Sequence, residues 1–165
     1  MKTVEVSTTV RAPPDDVYDF LLDFPGYADY SKHLESVTAD GDGGPGTEYH
    51  LTFAWWKLDY TAHSKVTAVD PPTAIDWEIT RDIDASGRWL VDPLDHGSGC
   101  RVRLVVTYDP DSAHGVLDLP LFVSLDRVIE KIMDLVVAEG ERVVERVVAD
   151  LEGERRPVDI DVSVY

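Results

Sequence analysis

The stretch Val10-Arg11-Ala12-Pro13-Pro14-Asp15-Asp16-Val17-Tyr18-Asp19-Phe20-Leu21 closes a strand and opens a helix without an intervening loop. Before it, Val4, Val6, Thr8 and Val10 alternate with Glu5, Ser7 and Thr9, which reads as a half-buried strand over residues 3–10. Pro13 and Pro14 fit a first helical turn, because the N–H groups they lack have no intrahelical acceptor there. Asp15 and Asp16 then face the positive end of the helix dipole. Val17, Phe20, Leu21 and Phe24 form the buried stripe, Pro25-Gly26 ends it, and Tyr27 to His33 reads as a short second helical turn.

At the other end a single amphipathic helix is expected from Pro120 to Leu151. Leu125, Val128, Ile129, Ile132, Met133, Val136, Val137, Val143, Val144, Val147, Val148 and Leu151 recur at three- and four-residue spacing. The opposite face pairs Arg127 with Glu130, Lys131 with Asp134, and Arg142 with Glu139 and Glu145. Gly140 lies on the apolar stripe. It marks a close approach, room for a ligand, or simple tolerance, where Ala would favour helix by about 1 kcal/mol.

Between these ends the chain reads as six strands, at about 34–40, 46–56, 59–69, 74–81, 86–93 and 99–109. Gly-, Pro- and Asp-rich turns separate all but the pair joined at residues 56–58. Alternation sorts the side chains onto two faces. One carries Tyr49, Leu51, Phe53, Trp55, Tyr60, Ala62, Ser64, Val66, Ile75, Trp77, Ile79, Trp89, Val91, Val102, Leu104, Val106 and Tyr108, with no charge and no histidine. The other carries His50, His63, Lys65, Asp76, Glu78, Arg88, Asp92, Arg101 and Arg103. The uncharged face is read as inward, opposite the long helix.

The composition narrows the function. The 165 residues suit one domain, with no apolar run of membrane-spanning length and no secretory signal, so a cytoplasmic protein is expected. One cysteine, Cys100, leaves no internal disulfide. The formal net charge is −17, with 22 Asp, 10 Glu, 10 Arg and 5 Lys, and the acids are spread through every segment. This even acidic coat reads as a high-salt solvation adaptation of the kind found in salt-loving archaea, and it argues against nucleic acid as a partner.

The order strand, short helices, six strands, long helix resembles the helix-grip fold of the START-like superfamily. The resemblance rests on Val10-Arg11-Ala12-Pro13 with Val17 and Tyr18, Asp23-Phe24 with Tyr27 and Tyr30, and Leu34-Glu35-Ser36-Val37. It extends through Val66-Thr67-Ala68-Val69-Asp70-Pro71-Pro72 and Gly87-Arg88-Trp89-Leu90-Val91-Asp92-Pro93-Leu94 to Leu119-Pro120-Leu121. That last stretch is similar to the polyketide cyclase/dehydrase and coenzyme Q-binding branch. The resemblance implies an α+β fold over residues 1–152, with a tail at 153–165. About seven antiparallel strands would curve around the C-terminal helix, with one or two short helices after the first strand. An apolar cavity would lie between sheet and helix.

Within that cavity the expected ligand-facing residues are Tyr49, Leu51, Phe53, Trp55, Trp77, Trp89, Val91, Tyr108, Met133, Val136 and Val137, with His33, Tyr60 and Arg88 as polar contacts. Aromatic side chains of this size either line a cavity or fill it. His50 and His63 can meet on the outer face, but a metal centre needs a third ligand, and solvated surface histidines are the favoured reading. His96 and His114 carry no motif. No catalytic motif and no metal or cofactor site is read from the chain. The expectation is a carrier of an apolar small molecule (quinone, isoprenoid or lipid-like) with at most transient membrane contact. The alternative is a polyketide aromatase/cyclase-type enzyme.

Overall fold

The computed structural model describes residues 1–55, 58–81, 83–94, 99–109, 112, 141–154, 156, 158 and 160–164. Strand β1 (Lys2–Val10) leads into helix α1 (Pro14–Leu22) and a 3-10 turn (Phe24–Asp29). There follow β2 (Leu34–Asp40), β3 (Glu48–Trp55), β4 (Leu58–Asp70), β5 (Ala74–Ile79), β6 (Ala85–Pro93), β7 (Cys100–Tyr108) and β8 (Asp161–Val164). All eight strands form one antiparallel sheet in the order β2-β3-β4-β5-β6-β7-β1-β8. Register shifts at Leu34/Ser36 in β2 and Val66/Ala68 in β4 are bulges, which bend a sheet and sharpen its twist. The fold is an α+β helix-grip.

The Pro-Pro entry differs in one residue: three residues separate β1 from α1, and Pro13 is the extended cap residue just outside the first turn. Pro14 starts α1, and Val17, Tyr18 and Leu21 are buried. The end of this helical region differs from the reading. α1 stops at Leu22, and the second helical turn begins at Phe24, with Pro25 inside its first turn. A proline is tolerated there for the same reason as Pro14: an initial turn leaves its N–H groups unpaired.

Residues 141–152 are helical and press Val148 into the core, with Val144 and Leu151 packed against it. Polar ties fix this helix to the N-terminal region. Tyr30 Oη donates to Asp150 Oδ2 at 2.7 Å, Arg146 donates to the Tyr30 carbonyl at 2.9 Å, and the Arg11 N–H donates to Glu152 at 3.0 Å. The Asp150 bond holds the Tyr30 phenol protonated, its pKa pushed up to about 12. The expected helical residues Leu125 to Val137, with Gly140, lie outside the described residues.

The segment read as a tail contributes the eighth strand. β8 pairs with β1, Val164 opposite Val4 and Val162 opposite Val6. Val158 is buried, and Arg156 bonds both Glu152 and the Thr9 carbonyl. Four residues are short for a strand signal in sequence, and its apolar positions Val162 and Val164 remain partly exposed.

Candidate ligand site

Cross-strand register assigns the inner face position by position. Tyr49 lies opposite Ser64, Leu51 opposite Ala62, Val66 opposite Trp77, Ile75 opposite Trp89, Val91 opposite Val102, and Leu104 opposite Val6. Among the described strand positions of this face the only charge is Lys2, which is exposed at the start of β1. The outer face gathers the ions. Arg88 grips Asp76 through two bonds of 2.5 and 2.9 Å, Arg103 bonds Asp92 at 2.9 Å, and Arg101 donates to Ser7 at 3.1 Å.

Burial changes along the inner face, from one end of the strands to the other. At the end beneath α1 and the 3-10 turn, Val10, Tyr49, Val66, Ile75, Val91 and Cys100 are fully enclosed. Phe24 stacks on Tyr49 with ring centroids 4.6 Å apart, and Tyr27 meets Trp89 edge-on at 6.5 Å. Burial pushes the Tyr27 phenol pKa well above its usual range, and its hydroxyl donates to the Leu21 carbonyl. Burial likewise raises the Cys100 thiol to about 11, with a smaller push from Asp92.

Toward the other end burial is less complete, although Val4 opposite Val106 and Leu34 opposite Phe53 stay buried. Leu51, Ala62, Trp77, Ile79, Leu104, Val106 and Tyr108 are only half-buried, and Phe53 is 39% exposed against 2% for Tyr49 four residues earlier. Among the described residues the result is an uncharged trough, plugged at one end by aromatic packing and only partly buried at the other. Trp77 forms part of its floor. Its indole lies across Gly87, where a Cβ would run into the ring. Two polar atoms of the face, Ser64 Oγ and Trp77 Nε1, are buried without a hydrogen-bond partner.

The expected site residues are therefore spread over distinct places. Tyr49 and Val91 sit in the enclosed end, and Trp89 at its edge. Leu51, Phe53, Trp77 and Tyr108 sit toward the less buried end, Leu51 and Trp77 still packed against the core. Tyr60 is placed on the inner face opposite Phe53, and Trp55 opposite Leu58, by backbone register alone. Arg88 is on the outer face. His33 lies at the start of β2, its carbonyl accepting from the Ala54 N–H at 2.9 Å. Met133, Val136 and Val137, like His96 and His114, lie outside the described residues. Two features of the trough were not read from sequence: the plug of Phe24 and Tyr27, and the seat that Gly87 makes for Trp77. A glycine in mid-strand at an inward position was the available signal for the second.

A model of the polyketide cyclase/dehydrase and lipid transport family matches residues 1–145. The chain belongs to this family. Among solved structures, the helix-grip chain is similar to the Zhui aromatase/cyclase from a Streptomyces species, with a TM-score of 0.72 and 21% identity over 92% of this chain and 94% of that one. It is also similar to a Thermus thermophilus protein (TM-score 0.67, 24% identity, 90% and 98% covered). A START superfamily protein from Mycobacterium smegmatis follows (TM-score 0.66, 13% identity, 92% and 99% covered). At these identities the structures establish the fold alone. No match was found among curated protein sequences. Among the described residues, no group of three metal-ligating side chains occurs and no helix is long and apolar enough to cross a membrane.

Proposed function

We propose that this family member binds and carries an apolar small molecule, of quinone, isoprenoid or lipid-like type, in the partly buried end of the trough. The observation that carries the reading is the burial gradient along one uncharged face: Tyr49 is enclosed while Phe53, on the same strand and face, is open. An apolar face left unfilled inside a fold gains about 25 cal/mol for each Å² that a ligand removes from water. General acid–base chemistry needs a titratable group within hydrogen-bond reach of the substrate. The inner face of the described strands offers phenols, a buried thiol and hydroxyls, which favours holding over transforming.

The second reading, a polyketide aromatase/cyclase-type enzyme, draws on the family's description and on Tyr108, a half-buried phenol on the open part of the face. Native mass spectrometry of protein purified from its natural host separates the two. The carrier retains one apolar molecule per chain, unchanged on incubation, and Phe53→Ala weakens its retention. A protein that retains nothing, or that converts a polyketone chain catalytically, overturns the carrier reading. The acidic coat fits a cytoplasm rich in salt.

A further inference from the structure

The outer face holds a pair of histidines that the trough does not use. His50 on β3 lies directly opposite His63 on β4. Backbone bonding shows which kind of pair they make. The Val66 N–H donates to the Thr47 carbonyl at 2.9 Å, so Thr47 and Val66 form a hydrogen-bonded pair. Pair type alternates along an antiparallel ladder, which makes His50–His63 a non-hydrogen-bonded pair. The far side agrees, because the His63 carbonyl accepts from the Thr80 N–H at 2.8 Å and so turns away from β3. In such pairs the Cα atoms approach to about 4.5 Å and the side chains stand closest. Thr52 and Thr61, the next pair of this kind, bring their hydroxyls within 3.2 Å.

The two imidazole centroids are 4.4 Å apart, with their planes at 60°. A metal-bound imidazole has its nitrogen about 2.0–2.1 Å from the ion, which puts its centroid roughly 3.2 Å away. Two imidazoles bound at a right angle then have centroids about 4.5 Å apart, and at a tetrahedral angle about 5.2 Å. The observed spacing fits the right angle, the geometry of tetragonal copper(II) or nickel(II). The pair borders an open groove of about 460 Å³, lined also by Glu48, Thr80 and Arg81, which leaves room for solvent ligands.

We propose that His50 and His63 chelate a copper(II)- or nickel(II)-class cation on the outer face of the β3–β4 hairpin, with water completing the coordination. No third protein ligand is supplied by the described residues, so the site is a two-imidazole chelate open to solvent. The same hairpin presents Leu51, Phe53 and Ala62 to the trough, so a bound ion clamps the trough's wall from behind.

Titration of the full chain with copper(II), followed by calorimetry and electron paramagnetic resonance, tests the site. One equivalent should bind with hyperfine coupling to two imidazole nitrogens, and a large excess of magnesium should not displace it, since hard cations choose carboxylate oxygen. His50→Asn and His63→Asn should each weaken binding at least tenfold while leaving the circular dichroism spectrum unchanged. Undiminished binding in the double variant, nitrogen coupling absent from the spectrum, or no saturable binding would each overturn the proposal.

Discussion

The two halves of the inner face share one set of strands and one uncharged alternation, yet among the described residues one half is fully enclosed and the other only partly buried. In the enclosed half Ile75, Val66 and Val91 meet α1, the 3-10 turn and one another, with Phe24 stacked over Tyr49. In the open half Phe53, Trp77 and Tyr108 keep part of their surface accessible. Strand alternation tells which side chains point inward. It does not tell whether anything meets them there. That depends on aromatic side chains carried by other elements, and the comparison separates stability from binding.

The sharpest way to break it is to truncate one residue in each half. Ile75→Ala in the enclosed half should cost about 2–5 kcal/mol in urea unfolding, the range for a cavity in a tight core. Phe53→Ala should cost under about 1 kcal/mol, because much of its surface is already in water, and should act on ligand retention instead. Equal losses at the two sites would erase the distinction. Gly87→Val comes next: its side chain displaces the Trp77 indole, and overpacking of this kind costs about 1–3 kcal/mol. Trp fluorescence should shift together with the loss of stability.

Glu152 tests how the C-terminal helix is held over the enclosed end. Bonds from Arg156, and then from the Arg11 N–H, lower its carboxyl pKa below the ordinary range. A carboxylate depressed in the folded state contributes stability above its unfolded pKa and loses it as pH falls through the folded value. Glu152→Gln should therefore lower stability by about 1 kcal/mol at neutral pH and flatten the acid limb of the profile. An unchanged acid limb would show that Glu152 does not help to hold the helix. The smallest effect is expected at Ser64, whose buried hydroxyl lacks a partner. Ser64→Ala should be neutral or stabilising by up to about 1 kcal/mol, whereas a clear loss would mean that this hydroxyl is satisfied in solution.

The fold was largely legible in the sequence for a physical reason. The Pro13-Pro14 entry, the alternating strands and the Gly- and Pro-marked turns are local signals, and each survives in the structure within a residue or two. The end of the chain reads as strand-like, but its pairing with β1 is not legible, because four residues carry too little alternation to specify a partner. The site was only half legible. The inner-face residues follow from alternation, but the plug formed by Phe24 and Tyr27 is a contact between distant segments, and nothing in either segment announces it. Arg88 is a different case. It stands among the expected polar contacts although alternation already puts it on the outer set, and register keeps it there, bonded to Asp76.

The most direct measurement is an NMR titration of the isotope-labelled protein with 2-methylnaphthalene, a rigid apolar probe. Saturable shifts should concentrate at Leu51, Phe53, Ala62, Trp77, Leu104 and Tyr108, with Val66, Ile75 and Cys100 little moved. Shifts confined to the enclosed half or the outer face, or no saturable shift at all, would contradict this.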